Sequence, residues 1–517
     1  MRFTRAAVLA CLVLVALVSS VASGPTWAET NESTTHATVA AALSTGGFTS
    51  CVVTPADAVD CWGYNHTGQL GDGTTTNRLR PAPVSVLTGA VAVSVGSAHA
   101  CALLVDGQVD CWGYNAYGQL GGGTTDQERP IGVPGLVDAV AIAAGGYDTC
   151  ALRKTGTVVC WGANGDGELG VGDTDDHAGP VQVLGVTGAT AITAGSDHMC
   201  ALVAGGAAKC WGYNGAGELG DGTSTSRTTA VSVTGISGAS AISAGTYSTC
   251  AVVTGGVVKC WGSNTDGEVG DGTTVERDTP VANGVTGAIG ISLGGSHGCA
   301  LVANGTVRCW GNNYDGELGD GTTSARLIPV PVAGLSTVVA LSAGIEHTCV
   351  VLAAGSVRCW GANGYGQLGY GDYTSRGGIP TTVPGKLPAV LGDGSVRGSV
   401  VVRLAPTLTS NHPKADKRSP YRYAVSGLVT AQGTKTCSGA VTLTARYRSR
   451  VLTTRHRVLR ADCRYAATVV VTRAELRSAL PKRLRNKKSA VKLIILESYA
   501  GNRTLKPGST SVSVVSR

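Results

Sequence analysis

The sequence predicts an all-β chain: a seven-bladed β-propeller with four-stranded blades, followed by an immunoglobulin-like β-sandwich. Three observations carry this. Tryptophans at Trp62, Trp112, Trp161, Trp211, Trp261, Trp310 and Trp360 recur at spacings of 50, 49, 50, 50, 49 and 50 residues. A fixed period of that size marks stacked or circular units rather than one irregular core. Within each period, short runs rich in valine, alanine and isoleucine are cut by glycine, asparagine and proline, and about four strands per ~50 residues is one propeller blade. After residue 394 the period stops and the composition turns basic.

Residues 1–28 read as a secretory signal. Arg2 and Arg5 form the basic start, Ala6 to Ala22 the apolar stretch, and small residues near Ala22 or Ala28 offer cleavage sites. Cys11 lies inside that segment, with most of the apolar run after it, an arrangement unlike a lipoprotein cysteine. Removing the signal leaves 16 of the 17 cysteines. An even number in an exported chain suits full oxidation. No second long apolar stretch and no wall-sorting sequence with an apolar tail follow, so a secreted or cell-envelope location without a membrane span is expected. Residues 29–38, ETNESTTHAT, read as a polar, disordered leader.

The repeats occupy residues 39–390. One unit runs AVAVSVGS from Ala90, CALLVDGQVDCWG from Cys101 and YNAYGQLGGGTT from Tyr114, and closes on a proline-led run such as PAPVSVLTG from Pro81. Glycine is abundant, 75 of 517, and phenylalanine nearly absent at two, so the interior must be built from Val, Ala, Leu, Ile, Trp and cysteine pairs. The cysteines fall ten apart in every copy: Cys51 and Cys61, Cys101 and Cys111, Cys150 and Cys160, Cys200 and Cys210, Cys250 and Cys260, Cys299 and Cys309, Cys349 and Cys359. Six residues after the first of each pair stands Gly107, Gly156, Gly206, Gly256, Gly305 or Gly355, with Asp57 in the first copy. That is the last position of a three-residue hairpin loop, a type I turn followed by a left-handed residue. Such a loop sets Cys101 opposite Cys111, at a Cα separation of roughly 4.5–5.5 Å that a disulfide accepts. Seven cross-strand disulfides are expected, each worth about 2–3 kcal/mol for its short loop. Buried thiol pairs or a metal site are the alternatives, but no cysteines sit two residues apart as zinc usually requires.

Residues 395–517 carry about seven strand candidates with short turns, hence the sandwich. Cys437 and Cys463 pair within it. No tryptophan occurs there, so only the architecture is inferred. The segment holds 25 Lys and Arg against 4 Asp and Glu, while the rest of the chain holds 16 against 30. A basic module of this kind binds anionic polymers through counterion release. Arg446, Arg448, Arg450, Arg455 and Arg457, alternating along one strand pair, are the candidate contacts.

Comparing the copies separates what builds a blade from what does not. Tryptophan after each second cysteine reads as a packing plug. Asn65, Asn115, Asn164, Asn214, Asn264, Asn313 and Asn363 read as turn-holding caps. The slot holding Glu168, Glu218, Glu268 and Glu317 carries Gln69, Gln119 and Gln367 elsewhere, which fits a hydrogen-bond acceptor better than a calcium ligand. His99, His198, His297 and His347, held apart around a ring, are each expected to bond their own blade's loop. Asp72 with Arg78, Asp221 with Arg227, Asp271 with Arg277 and Asp320 with Arg326 read as loop-ordering ion pairs. What the fold does not require is a set of loop aromatics: Phe48, Tyr64, Tyr114, Tyr117, Tyr147, Tyr213, Tyr247, Tyr314 and Tyr365. These are the candidate partner contacts. No nucleophile elbow, phosphate loop, zinc-protease helix or carboxylate dyad stands out, so neither an enzyme nor a cofactor or metal is expected.

With the unit laid out as GSAHACALLVDGQVDCWGYNAYGQLGGGTT, the chain resembles the regulator of chromosome condensation repeat family. The matching parts are the G-x-x-H-x-C-A-L start, the W-G-x-N centre and the G-Q-L-G-x-G-T end, over about 350 residues. The resemblance implies a seven-bladed propeller and, among family activities, guanine-nucleotide exchange and chromatin binding. The signal and paired cysteines point instead to an exported, non-catalytic binding protein with a protein partner at its loops. A secreted β-lactamase-inhibiting propeller has a similar layout, which makes inhibition of an extracellular enzyme the first alternative and nucleotide exchange the second.

Overall fold

The computed structural model describes residues 43–384, apart from 55, 376 and 377, together with six strands between 421 and 516. The signal, the leader, Cys437, Cys463 and Arg448 lie outside the described residues.

Seven four-stranded antiparallel sheets follow one another along the chain. In the first blade these are β1 (Leu43–Thr45), β2 (Thr49–Val53), β3 (Val59–Gly63) and β4 (Arg78–Pro83), and in the second β5 (Ala90–Val95), β6 (His99–Leu104), β7 (Val109–Gly113) and β8 (Gln127–Gly132). The seventh ends on the two-residue strand Thr381–Thr382. Every blade takes its four strands from consecutive sequence, so no strand is shared where the last blade meets the first. The outer strand is displaced from the expected one. β4 starts at Arg78, ahead of the proline-led run, and a register shift between Cys61 and Gly63 places Pro81 in the irregular stretch. An edge strand tolerates proline there, because that amide has no ladder partner to lose.

The second and third strands form the hairpin that the spacing predicts. Cys51 lies opposite Cys61 in register, and Cys101 opposite Cys111. The same register sets Cys150 opposite Cys160, Cys200 opposite Cys210 and Cys250 opposite Cys260. In the last two blades it sets Cys299 opposite Cys309 and Cys349 opposite Cys359. All seven pairs are bonded as disulfides, at Cα separations of 4.0–4.1 Å. That is closer than the roughly 4.5–5.5 Å expected of opposed strand residues. Gly107 ends its loop at φ 87°, and Asp57 takes the same left-handed role at 58°. In the fourth and fifth blades the turn differs. Gly205 sits at φ 80°, ψ 3° and Gly255 at φ 81°, ψ 6°, the third-residue geometry of a type II turn, because Gly-Gly there permits it.

Inner strands surround the axis, and their ends are joined by backbone. Gly47 N donates to Gly96 O, Ser97 N to Gly145 O, and Ile345 N to Gly46 O, which closes the ring. Side-chain hydroxyls add a second ring: Ser44 accepts from Val95 N, Ser94 from Ala144 N, and Ser342 from Thr45 N, at 2.9–3.0 Å. The approach is so close that a Cβ on Gly344 would stand 2.5 Å from Gly46 O. Only glycine fits there.

Between blades lies the core. Each of the seven repeat tryptophans is fully buried and donates its indole N–H to a carbonyl of the preceding blade: Trp112 to Gln69 O at 2.9 Å, and Trp62 to Gln367 O across the ring closure. The plug reading is therefore sharpened: the indole fastens two blades together as well as filling space.

The six C-terminal strands form two sheets. Tyr421–Leu428 pairs with Arg464–Val471, and Arg450–Val458, Ala440–Tyr447, Val491–Tyr499 and Gly508–Ser516 make a four-stranded sheet in that order. A register shift between Ala445 and Arg446 separates Arg446 and Arg450 from Arg455 and Arg457, so the alternation read from the sequence is not continuous along that strand pair.

Candidate functional site

Antiparallel connection puts the turn between first and second strands, and the long loop between third and fourth, at one end of every blade. All nine candidate aromatics fall on these connections and hence on one face of the propeller. Tyr114, Tyr117 and Tyr147 form a cluster, with ring centroids 5.4–6.2 Å apart across the second and third blades. Tyr365 stands 4.9 Å from both Phe48 and Tyr64 where the seventh blade meets the first. Tyr213 and Tyr247 are 6.4 Å apart across the fourth and fifth. Tyr314 is 77 % exposed and packs on no other ring among the described residues. His66, 4.6 Å from Tyr64, joins the second cluster, a member that sequence reading missed. Such tilted and edge-on pairs are the favourable ring geometry.

Beneath the aromatics the loop is held by residues that repeat. Asn65 Oδ1 accepts from Leu70 N at 2.8 Å, and its Nδ2 donates to Thr74 O and Thr76 O, so one buried amide fixes both limbs of the loop. The variable Gln/Glu slot has one task throughout: Gln69 accepts from Thr67 N, Glu168 from Asp166 N and Glu218 from Ala216 N. Burial pushes the carboxyls of Glu168, Glu218 and Glu317 up to about 7. Asp72 is paired with Arg78 at 2.6 Å, and the pairs at Asp221, Asp271 and Asp320 are formed likewise. Burial alone would raise these aspartates, yet hydrogen bonds from Thr74 and Arg78 outweigh it and hold Asp72 below its ordinary value.

The histidines correct the expectation that each bonds its own loop. His99 Nε2 lies 2.9 Å from Thr149 Oγ1, in the next blade, and His198, His297 and His347 reach Thr249, Thr348 and Ser50 in the same way. The residue beginning the second strand points sideways across the blade boundary, where a hydroxyl waits, while its own loop is already satisfied by asparagine. Thr149 spends its proton on Gln119 O, so His99 must donate from Nε2 and is the neutral Nε2–H tautomer. Burial drives His99, His198 and His297 down to about 4. These groups build the ring and do not face the surface.

Among the described residues, no three His, Cys, Asp or Glu side chains converge as a metal site, and no helix is long and apolar enough to cross a membrane.

Comparison with known proteins matches the geometry. The family model described as the RCC1-like domain matches residues 20–297 and 138–400. A structure of Prp20p from Saccharomyces cerevisiae, described with its binding properties to Gsp1p and histones, is 23 % identical, covers 64 % of this chain and 87 % of its own, and superposes with a TM-score of 0.57. Yeast RCC1 (Prp20) bound to Kap60 is 20 % identical, with coverages of 71 % and 91 % and a TM-score of 0.59. Human WBSCR16 is 20 % identical, with coverages of 64 % and 94 % and a TM-score of 0.58. No curated protein matches the chain. At these identities the solved structures speak for the fold alone.

Proposed function

Starting from the membership of this chain in the RCC1-like domain family, we propose that it is an exported, non-catalytic propeller that binds a protein partner through its aromatic loop face. The observation that carries this reading is the gathering of Tyr114, Tyr117 and Tyr147, and of Phe48, Tyr64 and Tyr365, into clusters at positions where other blades hold alanine, serine, threonine, asparagine or an acidic residue. The blade does not need them, and clustered, half-exposed tyrosine is what interface hot spots are made of. Seven disulfides favour an oxidising compartment over the cytosol, which weighs against nucleotide exchange on a cytosolic GTPase. Residues 395–517 are read as an immunoglobulin-like sandwich whose arginines add affinity for anionic envelope polymers.

The test is a pull-down from culture supernatant and envelope fractions with the full chain and with a Tyr117→Ala/Tyr147→Ala/Tyr365→Ala variant. Loss of a captured protein at unchanged thermal stability supports the reading. Capture that ignores all three replacements refutes it. If the captured protein is an enzyme whose activity falls in a 1:1 complex, the inhibitor alternative is the correct form of the same reading.

A further inference from the structure

Two boundaries between blades on the loop face hold carboxylate pairs where others hold aromatic pairs. Asp166 and Asp197 stand on either side of the boundary between the third and fourth blades, and Asp315 and Glu346 on either side of that between the sixth and seventh, at the positions that Tyr117 and Tyr147 occupy between the second and third. In each pair the second carboxyl is held above its ordinary value by burial and by the charge of the first. Like charges so placed destabilise the fold unless a counter-charge is supplied. Among the described residues none is: no cation forms an ion pair with any of the four, and the nearby loop arginines are committed to Asp72, Asp221, Asp271 and Asp320.

A second observation lies beneath the first pair. Asp148 is 1 % exposed, and its Oδ2 has no hydrogen-bond partner among the described residues. Its carboxyl senses the charge of Asp197. Asp148 occupies the position from which the histidines of other blades reach a hydroxyl, but the next blade offers Met199 at that point. The boundary thus carries unmatched carboxyl groups from its surface downward, and the ring pair of half-buried Tyr213 and exposed Tyr247 stands beside it.

We propose that these two carboxylate notches dock the chain's own basic C-terminal portion, residues 395–517, whose lysine and arginine side chains supply the missing counter-charge. That portion has 25 cationic residues against 4 anionic, and the remainder 16 against 30, so the two parts carry complementary charge. The other end of the blades is the wrong surface for it, because Lys209, Lys259 and Arg358 already cover carbonyls there. Neighbouring tyrosine faces favour the same cations. The docking does not depend on the tyrosines binding an outside partner.

The experiment is zero-length carbodiimide cross-linking of the full, oxidised chain in the absence of any partner, read by peptide mass spectrometry. Lysines of residues 395–517 are expected to form amides with Asp166, Asp197, Asp315 or Glu346. The yield should fall about tenfold in roughly 0.5 M salt, where charges are screened within ~4 Å. It should fall as far in an Asp166→Asn/Asp197→Asn/Asp315→Asn/Glu346→Gln variant that shows parental thermal stability, with the two double variants as substitutes should the quadruple one not fold. Links made equally to Asp60, Asp106 or Asp110 at the other end overturn the proposal. So do links that ignore salt, and so does a yield that rises with protein concentration and appears as covalent dimers.

Discussion

Glu218 offers a measurable contest between a charge and an amide. It is fully buried and accepts a hydrogen bond from Ala216 N at 2.9 Å, the task that Gln69, Gln119 and Gln367 perform in other blades. Glu218→Gln should therefore keep the bond and remove the titration. The folded carboxyl is pushed by burial from 4.5 to about 7. Below pH 4.5 both folded and unfolded states are protonated. Between there and pH 7 the unfolded state ionises while the folded state holds its proton, so the parent loses stability as pH rises, up to about 3 kcal/mol in total. Glutamine contributes no such slope. It carries a fixed cost instead, since the buried Nε2 groups of Gln69 and Gln119 have no partner among the described residues and an unsatisfied amide costs about 1–3 kcal/mol. The variant should be the less stable protein at pH 4.5 and should equal or exceed the parent by pH 8. Urea unfolding of both proteins at four pH values, disulfides intact, reads this directly, because titrating groups not coupled to Glu218 cancel in the difference. A difference that stays constant with pH, or one that grows against glutamine as pH rises, would refute the reasoning.

Three further outcomes follow from other parts of the ring. Cys101→Ser/Cys111→Ser should cost about 2–3 kcal/mol in denaturant unfolding, since the bridge closes a short loop in the unfolded chain. Gly344→Ala should cost about 1–3 kcal/mol in calorimetry, because its Cβ would stand 2.5 Å from Gly46 O, whereas Gly364→Ala, with nothing within 4 Å, should stay within about 0.5 kcal/mol. Thr249→Val removes the acceptor of His198 and the donor to Glu218 O; it should cost about 1–3 kcal/mol in denaturant unfolding, with His198 staying neutral by NMR titration to below pH 5.

How far the sequence could be read depended on whether a residue's partner lies near it along the chain. The cysteine hairpin, the asparagine cap and the Asp72–Arg78 pair all act within one repeat, and their spacing alone located them. Partnerships that cross a blade boundary were misread or missed. His99 finds Thr149, and Trp112 finds Gln69 O, only because blades are wedged side by side. A sequence separation near one full period was the available signal, and it needed the circular geometry to be recognised. The carboxylate notches escaped for the same reason: Asp166 and Asp197 belong to different copies, and neither is unusual within its own. Gly-Gly at 205–206 was legible as a turn but not as a different turn, since either type places Cys200 and Cys210 alike.

No disulfide passes from one blade to the next within the described ring. Each disulfide joins residues ten apart, and what crosses a boundary is an indole, an imidazole, a hydroxyl or an amide. Oxidation is consequently a local search. Each cysteine meets its proper partner across a hairpin that closes in about 1–10 μs. Local pairing of this kind disfavours mispairing among the fourteen propeller thiols. The converse also holds: separation at any blade boundary, including the one between the two ends of the ring, would break no bridge.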